Sequence, residues 1–126
     1  MAAAALGRYV YEPDGAVIRA GLVAPLCAEI GATLLDPSIA YLSTDTPVET
    51  PFATGFRVLD SFPFGLKRLR AYLRERNVGR VEIKKRGTAV VPDQLRQQLA
   101  LKGENAATII LTRLQSKQSV LVVERV

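Results

Sequence analysis

The chain has no histidine and no tryptophan among its 126 residues, one methionine and one cysteine. The missing histidine removes the commonest general base, the usual hydrolytic triads and most zinc sites. A single thiol, Cys27, cannot form an internal disulfide, which fits a reducing, cytoplasmic setting. It stands in "LCAEI", an apolar context with no basic neighbour to lower its pKa, as a buried structural thiol would. No apolar run approaches the roughly 18 to 20 residues of a membrane helix, so no membrane partner is expected. Neither a Gly-x-Gly-x-x-Gly turn after a strand nor a lysine-bearing phosphate loop is present. The carboxylates are dispersed, and Asp14, Asp36 and Asp93 stand where turns or helices begin, as caps do. The chain is therefore expected to hold no catalytic residue, no metal and no cofactor of its own.

What is present is an ordinary globular composition, 48% hydrophobic and 23% charged, at the length of about one domain. The net charge of +5 conceals a division. Residues 1–63 carry three basic side chains against seven acidic ones, whereas residues 64–126 carry fourteen against five. Between Gly65 and Gly87 alone there are nine basic residues and two acidic ones. Such asymmetry points to a polyanionic partner, the alternative being a well-solvated surface.

The opening residues, 1–7, read as a disordered tail or an added start, without the basic flank of a secretory signal. Residues 8–54 read as a helical docking or linker segment. In it a short extended piece (8–11) meets "EPDG", and Asp14 caps a helix over 16–30. Ile18, Leu22, Leu26 and Ile30 form the buried stripe of that helix, Pro25 kinks or splits it, and Gly31 stops it. A proline- and threonine-rich connection follows, with one short strand over 39–43.

From residue 55 onward the pattern is regular. A strand at 56–62 ends at Pro63, and a helix at 66–76 has Leu66, Leu69 and Leu73 on one face. A strand at 78–84 points Val81 and Ile83 inward; Pro92 opens a second helix that stops near Lys102-Gly103. Two β-branched runs, 108–114 and 119–125, make a hairpin. The expected fold is α+β: an N-terminal helical segment, then a βαβαββ domain (55–126) with a four-stranded mixed sheet and both helices on one face.

The basic residues are ordered on that scheme. At 100° per residue Lys67, Arg70 and Arg74 fall within about 60° of one another, beside the leucine stripe. Arg80 and Lys84 share one face of the next strand, which ends in Lys84-Lys85-Arg86. Helix flank and strand end together form a candidate basic rim.

The stretches "YEPDGAVIRAG" (11–21), "DPSIAYLSTD" (36–45), "FRVLDSFPFGLKRLR" (56–70), "VEIKKRG" (81–87) and "PDQLRQQLALKG" (92–103), in that order, resemble one known arrangement. They are similar to the C-terminal region of a family of bacterial class I S-adenosylmethionine-dependent methyltransferases. The part from Phe56 resembles the THUMP-like domain that closes those proteins. The resemblance implies an S-adenosylmethionine-binding methyltransferase domain of the same parent protein as one partner. RNA, a tRNA or rRNA, is implied as the other. On that reading Lys67, Arg70, Arg74, Arg80, Lys84, Lys85 and Arg86 contact phosphates, which position an RNA without reading its sequence. With no tryptophan and no aromatic RNA-binding signature, folded RNA is the expected ligand. The alternative is a structural module that packs on the methyltransferase domain and never touches RNA.

Overall fold

The computed structural model describes residues 6–126. The first five positions of the expected tail lie outside the described residues. Of its last two, Leu6 packs beside buried apolar residues and the Gly7 N–H donates to Ser43 Oγ at 2.8 Å. Seven strands and four helices follow in the order β1 (Tyr9–Pro13), α1 (Gly15–Arg19), α2 (Val23–Ile30), β2 (Thr33–Asp36), β3 (Ile39–Thr44), β4 (Ala53–Pro63), α3 (Leu66–Glu75), β5 (Val78–Lys85), α4 (Pro92–Leu99), β6 (Asn105–Leu114) and β7 (Lys117–Arg125). All the strands join one mixed sheet, β2-β3-β1-β4-β7-β6-β5, in which only β5 and β6 run parallel.

The α+β class holds, but the sheet has seven strands instead of four. The stretch expected to be helical docking segment supplies α1 and α2 and also β1, β2 and β3. The reason lies in β4, eleven residues long. Its second half pairs with β7, while its first half, Ala53 to Arg57, also pairs with β1. A four-stranded sheet would leave that half as a bare edge with unpaired N–H and C=O groups.

The N-terminal helix is indeed two helices, but Pro25 does not divide them. Gly21, at φ 70, makes the break, and Pro25 sits in the first turn of α2, where a missing N–H costs nothing. Asp14 Oδ1 accepts from the Ala16 N–H at 3.3 Å, the expected cap, and Gly31 closes α2 in the left-handed region. α4 ends earlier than Lys102, with Ala100 as its left-handed cap.

Alternation along the strands divides the sheet into two faces. On the outer face α3 and α4 bury Leu69, Leu73, Leu95 and Leu99 against Val81, Ile83, Ile109, Leu111, Val120 and Val122. Also on that face, α1 and α2 cover Tyr11 and Leu42 with Val17, Leu26 and Cys27. The inner face carries Val10, Tyr41, Phe56, Ile110, Leu121 and Val123 in one cluster with Leu35 and Ile39 from the opposite edge. The sheet is therefore curled on itself. Arg113 of β6 donates to Ser38 Oγ at 2.9 Å and lies 3.8 Å from the buried Asp36, closing the curl between β6 and the β2–β3 turn. Gly87 makes a second approach; a Cβ there would lie 2.3 Å from Ile39 Cδ1, and its φ of +74 also favours glycine.

Candidate nucleic-acid interface

The curl decides where the seven candidate cations stand. β5 is an edge strand, and its register with β6 sets Arg80 opposite Ala106, Lys84 opposite Ile110 and Lys85 opposite Leu111. Ile110 belongs to the inner face and Leu111 to the outer one. Arg80 and Lys84 accordingly share the inner face, whereas Lys85 lies on the face of the helices with Lys67, Arg70 and Arg74. The seven do not form one rim.

Lys84 and Arg86 are not free strand-end charges. Lys84 Nζ lies 3.4 Å from Glu12 Oε1 and 3.8 Å from Glu82, above the Phe56 ring. Arg86 Nε stands 4.0 Å from Glu12 Oε2, with its guanidinium 5.8 Å from the Tyr41 ring centre. The Tyr41 hydroxyl donates to the same carboxylate at 3.4 Å. Burial first, then the Glu12 charge, push the Tyr41 phenol well above its ordinary value. "YEPD" thus does two jobs: Asp14 caps α1, and Glu12 reaches across the curl to hold the end of β5. The pairing joins residues 72 positions apart, and sequence spacing carries no trace of it.

On the outer face Arg70 donates to the Gln98 carbonyl and Arg74 to that of Ala100 at 3.5 Å. Both guanidiniums serve open carbonyls at the end of α4, a favourable place for positive charge. Lys67, Arg80 and Lys85 are exposed and have no carboxylate within ion-pair distance among the described residues. Other exposed cations share that condition, among them Arg68 on α3, Lys102 after α4 and Arg125 on β7. They were legible as basic residues but not as members of a set, because Arg68 departs in helical phase from Lys67, Arg70 and Arg74 and the others lie off that helix.

A second arrangement was not legible at all. The rings of Phe62 and Tyr72 lie 5.0 Å apart, and each is capped by a guanidinium: Arg68 at 5.0 Å from Phe62 and Arg76 at 3.5 Å from Tyr72. Arg76 also donates to the Tyr72 carbonyl at 3.0 Å, which fixes its plane. It opens onto a groove across β5, β6 and β7 whose lining includes Ala107 and the buried Val78, Val81 and Val122. Arg80, Arg96 and Arg125 line the same groove, together with Glu82 and Glu124. Glu124 is bound to Arg57, and Arg96 is held by Asp93 at 2.9 Å and the Val81 carbonyl at 3.1 Å.

The described residues contain no cluster of three or more metal-ligating acidic or cysteine side chains, and no helix long and apolar enough to cross a membrane.

A family model described as THUMP domain-like matches residues 53–125. Two Mycobacterium tuberculosis proteins, from strains CDC 1551 / Oshkosh and H37Rv, are each 44% identical to this chain over 108 residues. Both are named as S-adenosylmethionine-dependent methyltransferases. The matches take in 86% of this chain but only 30% of each relative, so the chain spans less than a third of the curated relatives' length. A crystal structure from Porphyromonas gingivalis W83, of a protein named as a methyltransferase, superposes at TM-score 0.79 over 99% of this chain and 31% of that one. At 22% identity that likeness is one of fold.

Proposed function

The chain belongs to the THUMP domain-like family, and from that membership we propose that it is the RNA-recognition region of a cytoplasmic S-adenosylmethionine-dependent methyltransferase. The observation that carries this reading is the state of the cations. Lys67, Arg68, Arg80, Lys85 and Lys102 are exposed without acidic partners among the described residues, all within the family-matched segment. Unpaired surface cations at this density are what a phosphate backbone neutralises. Their role is positioning: they hold a tRNA or rRNA while the methyltransferase domain of the parent protein, which would bind S-adenosylmethionine, does the chemistry. Lys84 and Arg86, engaged by Glu12, contribute to the field more than to contact.

Binding of a folded tRNA to the chain, measured across salt concentrations, tests the reading. About five phosphate contacts give a log–log slope of roughly −3 to −5. Affinity that does not change with salt refutes it.

A second reading has its own observation. Leu22 and Phe52 are 49% and 48% exposed and line one apolar hollow with Val17, Pro25 and Leu26. Large apolar side chains gathered in this way favour a contact with another protein surface, here the methyltransferase domain of the parent. The acidic N-terminal half docking and the basic half binding RNA are compatible.

A further inference from the structure

We infer that Arg76 is a stacking platform on which one nucleobase of a single-stranded RNA segment lies, the strand following the groove across β5, β6 and β7. This rests on the RNA reading and adds the contact that senses a base instead of a phosphate.

The geometry is a run of contacts, Arg68–Phe62–Tyr72–Arg76, with the two ring planes tilted at 41° and an exposed arginine at each end. Phe62 is buried, and Tyr72 packs against it with Asp60 beside its hydroxyl. The Arg76 guanidinium covers the outer face of Tyr72 at 3.5 Å and is itself 48% exposed. An arginine normally loses much rotamer freedom when a ligand binds it. Here that ordering has already happened. The Nη1 donates to the Tyr72 carbonyl, and Asn105 Nδ2 donates at 2.9 Å to the Arg76 carbonyl, holding the backbone beneath. The outer face of a fixed, planar cation accepts a base of any identity, because every base has a π face.

The surroundings fit a strand more than a duplex. The groove is lined by apolar side chains of the helix-bearing face, and two exposed cations, Arg80 and Arg125, flank it from the inner face of the sheet without a carboxylate within ion-pair distance among the described residues. Cations flanking an apolar groove beside a stacking plane are parts a single strand uses. Three carboxylates lie on this path: Glu82 leans to Lys84 at 3.8 Å, Glu124 is bound to Arg57, and Glu75 lies 3.7 Å from Arg76 Nη1.

The test uses the full chain and an unstructured RNA of about ten nucleotides carrying one fluorescent purine analogue quenched by stacking. The wild-type chain is expected to quench the analogue on binding. Arg76→Lys keeps the charge and loses the plane. It should abolish the quench and weaken binding by about tenfold while leaving the salt slope unchanged. Arg80→Gln should instead flatten the salt slope and keep the quench. If Arg76→Lys binds and quenches as wild type does, the platform is refuted while the RNA reading stands. If the wild-type chain binds neither this RNA nor a folded tRNA at low salt, the RNA reading itself has failed.

Discussion

The Glu12 carboxylate lies 3.4 Å from the Lys84 ammonium, and the two side chains are only 25% and 27% exposed. One belongs to the interior strand β1 and the other to the edge strand β5, so the pair reaches across the inner face of the curled sheet. It therefore works less as a surface ion pair than as a clasp over the inner apolar cluster. Reversing Lys84 to Glu sets two carboxylates side by side and should cost about 1–3 kcal/mol. The neighbouring Lys85→Glu changes the same charge on an exposed side chain and should stay within about 0.5 kcal/mol. Denaturant midpoints of the two variants decide; equal midpoints would show that the clasp carries no stability.

RNA affinity should follow the outer cations. Reversing Lys67, Arg68 and Lys85 to Glu should lower tRNA binding by at least about tenfold at moderate salt. Reversing Arg8, Arg19 and Lys117 removes equal charge from exposed positions outside the proposed surface and should cost clearly less. A titration in which both triples lose affinity equally leaves net charge alone as the cause.

Cys27 is fully buried, and its thiol donates to the Ala32 carbonyl at 3.0 Å, while burial raises its pKa. Labelling by a thiol reagent at neutral pH should be slow in the native chain and fast in denaturant. Cys27→Ser keeps a donor for Ala32 and should cost only about 1 kcal/mol. Rapid native labelling would mean that α2 opens away from the sheet.

Asp36 should govern part of the acid response. Its pKa is lowered, first by the Ser38 hydroxyl at 2.7 Å, then by the Ser38 N–H at 2.9 Å, with Arg113 adding a smaller effect. A depressed carboxylate stabilises the fold above its unfolded pKa of about 3.9 and loses that contribution as pH falls through the folded value. Asp36→Asn should therefore melt below wild type at neutral pH, with the two curves converging below about pH 4. A constant gap across that range would assign the loss to packing instead of charge.

Local signals in the sequence sufficed for the second half of the chain. The Leu69/Leu73 and Leu95/Leu99 spacings and the Val81/Ile83 alternation each state their own burial, and these residues are buried, as are Ile109–Leu111 and Val120–Val123 in the two β-branched runs. The hairpin turn at Gln115-Ser116, with both residues at positive φ, lacked the glycine or asparagine that usually marks it. β2 was missed because four residues between a helix cap and a turn give too short an alternation to read. The candidate site failed to read for another reason. Helical phase sets Lys67, Arg70 and Arg74 on one side of α3, but it cannot tell that two of them reach the end of α4. Nor can charge spacing tell that Lys84 meets Glu12, since the curl that joins them belongs to no single element.

The first half of β4 hydrogen-bonds to β1, yet the family resemblance begins at Ala53, the first residue of β4. The family-matched segment is thus narrower than the folded sheet. A copy of residues 53–126 moved into another protein would carry a raw strand edge and an uncovered inner face, Phe56, Ile110, Leu121 and Val123 among them. The folded unit includes the forty-odd residues before it, which supply three strands and the Glu12 carboxylate.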